Sequence, residues 1–239
     1  MFLKEGEIFF NGKYSQQDLN LRIENYPDIP ITSENYDIEK DVYMRKSPLI
    51  INNGTFDNKE VSFIFTKNSD EDILNFDDIY DWLLNVKDNR FIYGLENRCL
   101  RCKKVVFGDF KQEFRTFGTI TITFILSPFW EDIQATKYTI TSNNFRFRYS
   151  GTAIGEPYIK LYGSGNVQIS INEETMSISN ISNYVIIDSE NMKILDQNGN
   201  SKDFDCTGNF FELEQGKYTV SYTGNVTKIE LSYSNKWRG

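Results

Sequence analysis

The chain has 239 residues, of which 39% are hydrophobic and 15% aromatic, and its net charge is −8. An acidic chain repels phosphate backbones, which argues against sequence-specific nucleic-acid binding. The sequence contains no histidine, and this excludes Ser-His-Asp triads, histidine-bearing zinc sites and imidazole general bases. The abundant Phe, Tyr, Ile and Thr residues favour strands, so we expect a mainly β fold.

Three cysteines are present. An odd number argues against a complete disulfide framework and is typical of proteins made in a reducing cytoplasm. No apolar run approaches the roughly 18 residues of a membrane span. The first ten residues, MFLKEGEIFF, carry charges where a signal peptide needs its apolar segment. We therefore expect synthesis in the cytoplasm and no membrane insertion.

The first half of the chain is read as short strands around one helix. Residues 1–134 contain 23 acidic and 16 basic side chains. Period-two alternation is clearest in Thr116–Leu126, where Thr side chains alternate with large apolar ones. The other strands predicted here are Glu7–Phe10, Leu19–Ile23, Tyr36–Arg45 with looser alternation, Leu49–Ile51, Glu60–Thr66, Arg90–Tyr93 and Cys99–Phe107.

The helix is predicted over about Asp70–Asn85. Ser69 is a suitable N-cap, and the acidic residues that follow it favour the positive end of the helix dipole. Apolar side chains recur at helical spacing, which predicts one packed face. The acidic side chains of this segment lack the calcium-loop pattern, so we interpret them as a solvated helix face and expect no metal.

Ser127-Pro128-Phe129-Trp130 ends the last strand of this half, since Pro128 cannot donate to a β-ladder. Pro128 and Trp130 therefore mark a corner at a domain boundary, and the polar segment 135–144 is read as the boundary itself. The domains predicted are 1–134 and 135–239. The strands predicted in the second are Phe145–Tyr149, Tyr158–Tyr162, Val167–Asn172, Thr175–Ile178, Tyr184–Asp188, Met192–Leu195, Lys217–Tyr222 and Val226–Tyr233. Eight short strands indicate a β-sandwich.

Gly163-Ser164-Gly165 raises the question of a phosphate-binding loop. Such a loop needs a following lysine and then a helix. Here an alternating strand follows, so we predict a hairpin turn in which Gly163 and Gly165 supply positive φ.

Cys99 and Cys102 have C-x-x-C spacing, but only Cys206 remains to complete four zinc ligands. We therefore interpret these two cysteines as unrelated strand residues that form no common site. Four tyrosines of the second domain offer a stacking surface for sugars, although aromatic residues of a sandwich more often pack in its core; they are Tyr149, Tyr158, Tyr162 and Tyr184. We predict neither a catalytic residue nor a cofactor.

Several segments, taken together and in order, carry a resemblance to a known family. The corner reads TITFILSPFWED, and the second half contains YSGTAIGEPYIKLYGSGNVQISIN, VIIDSENMKILDQNG and GNFFELEQGKYTVSYTGNVTKIELSYSNKWRG. These resemble the distal tail protein (Dit) family of long-tailed phages and related prophage tail particles. The first half resembles the family in the order of its predicted elements more than in residue identity. Tyr43–Pro48 stands where family members often carry a Gly-Arg-x-Gly turn.

The resemblance implies an N-terminal β-sandwich-like domain with one helix and a galectin-like, jelly-roll C-terminal sandwich. It also implies a non-enzymatic protein of the virion tail tip, made in the cytoplasm of a host bacterium. Six copies would form a ring through their N-terminal domains. The ring would join the tail tube protein and the end of the tape-measure protein to the tail-tip hub and, in some particles, to receptor-binding proteins.

For ring contacts we predict the helix and the arm Tyr36–Ile51, with Tyr36, Tyr43, Ile79 and Trp82 as candidate residues. Two other function classes remain open. The first is a carbohydrate-binding sandwich that recognises host cell-wall glycans. The second is a carboxylate-based wall hydrolase, which needs two carboxyl groups facing each other across a cleft.

Overall fold

The computed structural model describes residues 3, 5–40, 43–44, 46–68, 76–114 and 117–239. The chain divides into two compact units. Unit 1 runs to Ile133 and includes Arg238 and Gly239, and unit 2 is Gln134–Trp237. Strands are the predominant element of both units, which confirms the predicted mainly β fold class.

Unit 1 contains ten strands and two helices among its described residues. In chain order these are β1 Phe9–Phe10, β2 Lys13–Tyr14, α1 Ser15–Leu19, β3 Leu21–Ile23, β4 Glu34–Glu39, β5 Leu49–Phe56, β6 Lys59–Asn68, α2 Asp77–Leu84, β7 Arg90–Ile92, β8 Arg98–Phe114, β9 Phe117–Leu126 and β10 Trp130–Asp132.

The main sheet of unit 1 has the order β2-β1-β7-β8-β9-β6-β3, and β10 pairs with the start of β8. The alternation read from the sequence is confirmed in β9, where every second side chain from Gly118 to Leu126 is buried. β6 pairs with β9 along its whole length, and its Val61, Phe63 and Phe65 bury on the same side. Aromatic rings therefore fill one face of the sheet, where edge-to-face contacts between neighbouring rings add to burial.

Helix α2 begins at Asp77 in the structure, and the predicted first turn with its N-cap Ser69 lies outside the described residues. The helix buries Ile79, Trp82 and Leu83. The Trp82 indole N–H donates to the carbonyl of Phe10 at 2.6 Å, and the two rings meet edge to face. The helix is thus fastened to strand β1 by both packing and a buried hydrogen bond.

Helix α1 corrects the sequence reading, which predicted a strand from Leu19 and a single helix. The Ser15 hydroxyl accepts a hydrogen bond from the Ile8 amide and is buried. Asn20 ends the helix with a φ of +57°, a left-handed conformation that asparagine tolerates better than most residues. Five residues give too few apolar positions for a helical period to be read, so the sequence pattern missed this element.

The predicted corner lies in unit 1. The Ser127 hydroxyl donates to the carbonyl of Phe129 and accepts from the Arg101 amide, spanning Pro128. Trp130 follows at the start of β10 and is buried. The corner therefore turns the chain from β9 into β10 within this unit.

Unit 2 contains nine strands, one of which, β11, lies in the polar segment that the sequence analysis read as a boundary. The strands are β11 Thr136–Ile140, β12 Phe145–Tyr149, β13 Tyr158–Ile171, β14 Glu174–Ile181, β15 Tyr184–Asp188, β16 Lys193–Asp196, β17 Cys206–Thr207, β18 Gly216–Tyr233 and β19 Lys236–Trp237.

The long strands β13 and β18 pair with each other and organise the unit. The first half of β13 pairs with β15 and its second half with β14, while β11 and β12 pair with opposite halves of β18. The inward side chains of both halves enter one core cluster of 20 buried residues. A single sheet therefore curls around its own core.

The predicted hairpin at Gly163 and Gly165 is wrong. Both glycines lie inside the continuous strand β13, whose pairing with β18 shifts register between Tyr162 and Gly163 and again after Ser164. Gly165 has a φ of +75°, while a Cβ on Gly163 would overlap the Asn225 carbonyl oxygen. The glycines form a bulge, which bends a strand and lets the backbones approach closely.

Candidate assembly surface

Unit 1 presents exposed apolar side chains on a hairpin arm formed by β4 and β5, with Tyr43 and Met44 described between the two strands. These two strands pair only with each other. Ile38 lies opposite Ile50, and these side chains are 49% and 62% exposed. At the tip, Tyr43 and Met44 are each 88% exposed. An isolated two-stranded hairpin is marginally stable in water, so this one is suited to gain stability from a partner.

The two faces of the arm differ in character. Alternate residues of a strand share a face, so Tyr36 and Ile38 lie on the same side as Ile50. The opposite side carries Asp37 and Glu39. The two β5 residues paired with these acids are apolar, so one face of the arm is uncharged while the other mixes acidic and apolar side chains. An exposed apolar patch bordered by polar residues is typical of a protein-interaction surface.

The root of the arm is fastened to the sheet of unit 1. The Phe56 and Phe129 rings meet edge to face at 4.8 Å. The Lys59 ammonium donates to the Pro30 carbonyl at 2.6 Å, and the Thr32 hydroxyl donates to the Pro128 carbonyl. Burial lowers the pKa of Lys59. These contacts hold the segment that leads into β4, so the arm projects from a fixed base.

The candidate ring-contact residues fall into two groups. Tyr36 and Tyr43 lie exposed on the arm, where a neighbouring molecule can reach them. Ile79 and Trp82 are 3% and 1% exposed and belong to the core of unit 1. Side chains this buried offer no surface to a second copy, so we withdraw these two as interface residues. The exposed side of α2 instead presents Tyr80 and Leu84.

Three of the four tyrosines considered for sugar stacking make other contacts, while Tyr158 is 40% exposed. Tyr149 is fully buried, and its hydroxyl donates to the Ala153 carbonyl at 2.9 Å. The Lys160 ammonium lies 3.9 Å from the centre of the Tyr184 ring, and that of Lys228 lies 4.2 Å from the centre of the Tyr162 ring. Cation–π contacts of this kind cover the faces that a sugar would stack on.

The cysteines are free thiols. Burial raises the pKa of Cys99, Cys102 and Cys206 to about 11 in each case. Within the described ranges, no three Cys, Asp or Glu side chains are grouped so that they could hold a metal ion. No helix among the described residues is long and apolar enough to cross a membrane.

No protein-family model matches this sequence, and no curated protein is significantly similar to it. Among solved structures, the crystal structure of the SPP1 Dit protein, a paradigm of the hub adsorption apparatus in phages that infect Gram-positive bacteria, is similar to this chain. The match covers 96% of this chain and 98% of the other, with a TM-score of 0.61 and 10% sequence identity. The chain has the Dit fold. The resemblance read from the sequence segments is thereby supported at the level of architecture, across both units.

The structure adds one feature that the sequence did not reveal, namely that only one face of the arm carries charge. Strands β4 and β5 lie in segments with loose alternation and a run of Asn, Gly and Thr. The signal that was present is the pair of apolar side chains at Tyr36 and Ile38 against acids at Asp37 and Glu39. The register with β5 is needed to show which β5 side chains share a face with these residues.

Proposed function

We propose that this protein is a structural component of a phage tail tip, in which six copies form a ring through unit 1. The ring joins the end of the tail tube, with the tape-measure protein, to the tip hub and to host-adhesion parts. The protein binds no cofactor and performs no catalytic step. This proposal rests on the Dit fold, shared over nearly the whole length of both chains.

The arm supplies the contact that such a ring needs. A ring of identical subunits uses a heterologous interface, in which a patch on one copy meets a different patch on the next. A projecting hairpin with one apolar face is suited to this geometry, since it reaches beyond its own unit. We assign the face of Tyr36, Ile38 and Ile50 to the contact with the neighbouring copy.

Native mass by light scattering, followed by negative-stain imaging, tests the ring. We expect hexamers at high protein concentration. Ile50→Lys should convert them to monomers, because it places a charge on the apolar face. Ile51→Lys is the matched control: Ile51 is the next residue of the same strand and lies opposite Asp37 on the other face of the arm.

Equal assembly of the two variants would show that the apolar face makes no contact in the ring. A wild-type protein that stays monomeric at every concentration would contradict self-assembly through unit 1. Carbohydrate binding stays the alternative function: lysines lie over the Tyr162 and Tyr184 rings, which argues against stacking there, whereas Tyr158 is 40% exposed.

A further inference from the structure

Unit 2 carries two adjacent grooves of about 390 and 420 Å³ that share Glu174 and Glu212 as lining residues. We refer to them together as the acidic groove. Six glutamates line it: Glu156, Glu173, Glu174, Glu190, Glu212 and Glu214. Two connected grooves with shared walls accommodate an elongated occupant better than a compact one.

The negative charge of the acidic groove is only partly compensated within the protein. Lys236 forms ion pairs with Glu156 at 2.6 Å and with Glu190 at 3.3 Å. In the part of the chain that the structure describes, the remaining four glutamates form no ion pair. Like charges that line one groove repel one another, and a cationic occupant would relieve that repulsion.

The groove also has an apolar floor and an unsatisfied polar group. Phe210, Phe211 and Met192 line it beside the glutamates. Ser189 lies in the same wall, is 4% exposed, and its hydroxyl has no hydrogen-bond partner. A buried hydroxyl without a partner is costly, and most such groups in native proteins are bonded to something. A donor that enters the groove would satisfy it.

We propose that the acidic groove binds an extended polypeptide segment of another protein, in which Lys or Arg side chains alternate with apolar ones. The cations would pair with Glu174 and Glu212, the apolar side chains would lie on Phe210 and Met192, and a donor would reach the Ser189 hydroxyl. A metal ion fits poorly, because no three carboxylates in the described residues are grouped for ligation. The proposal does not depend on ring formation by unit 1.

Fluorescence polarisation with the full chain and a labelled Lys-Val-Lys-Val-Lys peptide tests this proposal. We expect saturable binding that weakens as salt is added, since added ions screen exposed charges. The Glu174→Gln/Glu212→Gln variant should bind about tenfold more weakly, because each exposed ion pair contributes a few-fold to the affinity. Ser189→Ala should weaken binding about threefold through loss of one hydrogen bond.

The matched control is Glu24→Gln/Glu60→Gln, which changes the net charge equally at two exposed positions of unit 1. It should bind as the wild type does. A second peptide, Lys-Ser-Lys-Ser-Lys, keeps the charge and removes the apolar side chains, and it should bind more weakly. Absence of binding by the wild type, equal loss in the groove variant and the control, or equal affinity for the two peptides would each overturn the assignment.

Discussion

At the scale of single residues, two glycines of one bulge are required for different reasons. Gly163 lies against the backbone of β18, so a Cβ there would overlap the Asn225 carbonyl oxygen. Gly165 has open space around it but a φ of +75°. A larger residue is excluded at Gly163 by the contact between two strands, and it is disfavoured at Gly165 by the backbone conformation. Substitution by alanine separates these two effects.

We expect Gly163→Ala to lower the free energy of unfolding by about 2 kcal/mol or more, since the strands must separate to admit the methyl group. Gly165→Ala should lower the free energy of unfolding by about 1 kcal/mol. Alanine is strained in the left-handed conformation, and this loss is partly offset because alanine reduces the entropy of the unfolded chain. Urea titrations of both variants measure the difference. An equal loss in the two would contradict the close approach at Gly163.

The thiols provide a second test at this scale, through their pKa values. A thiol with a pKa of about 11 is about one part in a thousand thiolate at pH 8, whereas an unperturbed one is about a quarter thiolate. Because the thiolate is the reactive form, labelling by a disulfide reagent should be at least a hundredfold slower in the folded protein than in guanidinium.

Labelling should accelerate as pH rises toward 11, and all three cysteines should react once the chain is unfolded. Rapid reaction of one thiol at pH 8 would show that its surroundings do not raise its pKa. Fewer than three reactive thiols after unfolding would contradict the free state of the cysteines.

At the scale of elements, α2 serves the core of unit 1 through Trp82. Trp82→Phe keeps an aromatic ring but removes the donor to Phe10, which leaves a buried carbonyl without that partner. We expect a loss of about 2 kcal/mol in the free energy of unfolding, from the unsatisfied carbonyl and the smaller ring. Chemical denaturation measures it. A variant with unchanged stability but altered oligomeric mass would instead restore Trp82 as an interface residue.

An element could be predicted where neighbouring residues determine it, and could not where residues distant in sequence determine it. β9 was predicted well because its buried face imposes a period of two on consecutive residues, from Thr119 to Leu126. The sequence pattern predicts a turn at Gly163 instead of a bulge because both need glycine between two alternating segments. Only the pairing of Gly163 with Val226, 63 positions away in sequence, tells them apart. Local pattern cannot contain that information.

The candidate surface shows the same limit. The helical period predicts one packed face of α2 without fixing its exact position, and the structure buries Ile79 while Tyr80 is half exposed. The sequence predicts the arm only as a segment, Tyr36–Ile51, because the different character of its two faces follows from the β4–β5 register. Charge in the acidic groove comes from four separate segments of unit 2, which no single stretch of sequence brings together.

At the scale of the whole molecule, we predict that residues 1–134 and 135–239 are two domains, and each should then be able to fold by itself. Unit 2 has its own core, in which 20 buried side chains form a single cluster. Tyr149 stands at its centre, and its hydroxyl accepts from the Lys236 amide, so the last strand is fastened to the same core. A chain of about a hundred residues with one continuous core is of the size at which domains fold alone.

We therefore expect the fragment 134–237, expressed by itself, to unfold cooperatively in circular dichroism melts with a strand-rich spectrum. Introducing Gly163→Ala into this fragment should lower its Tm by roughly 8 °C or more, because about 2 kcal/mol acts on a domain of this size. The same substitution in the full chain should shift only the transition that belongs to unit 2. A fragment that melts without a cooperative transition would show that unit 2 needs unit 1 to fold. Unit 2 would then be a compact unit but not an independently folding domain.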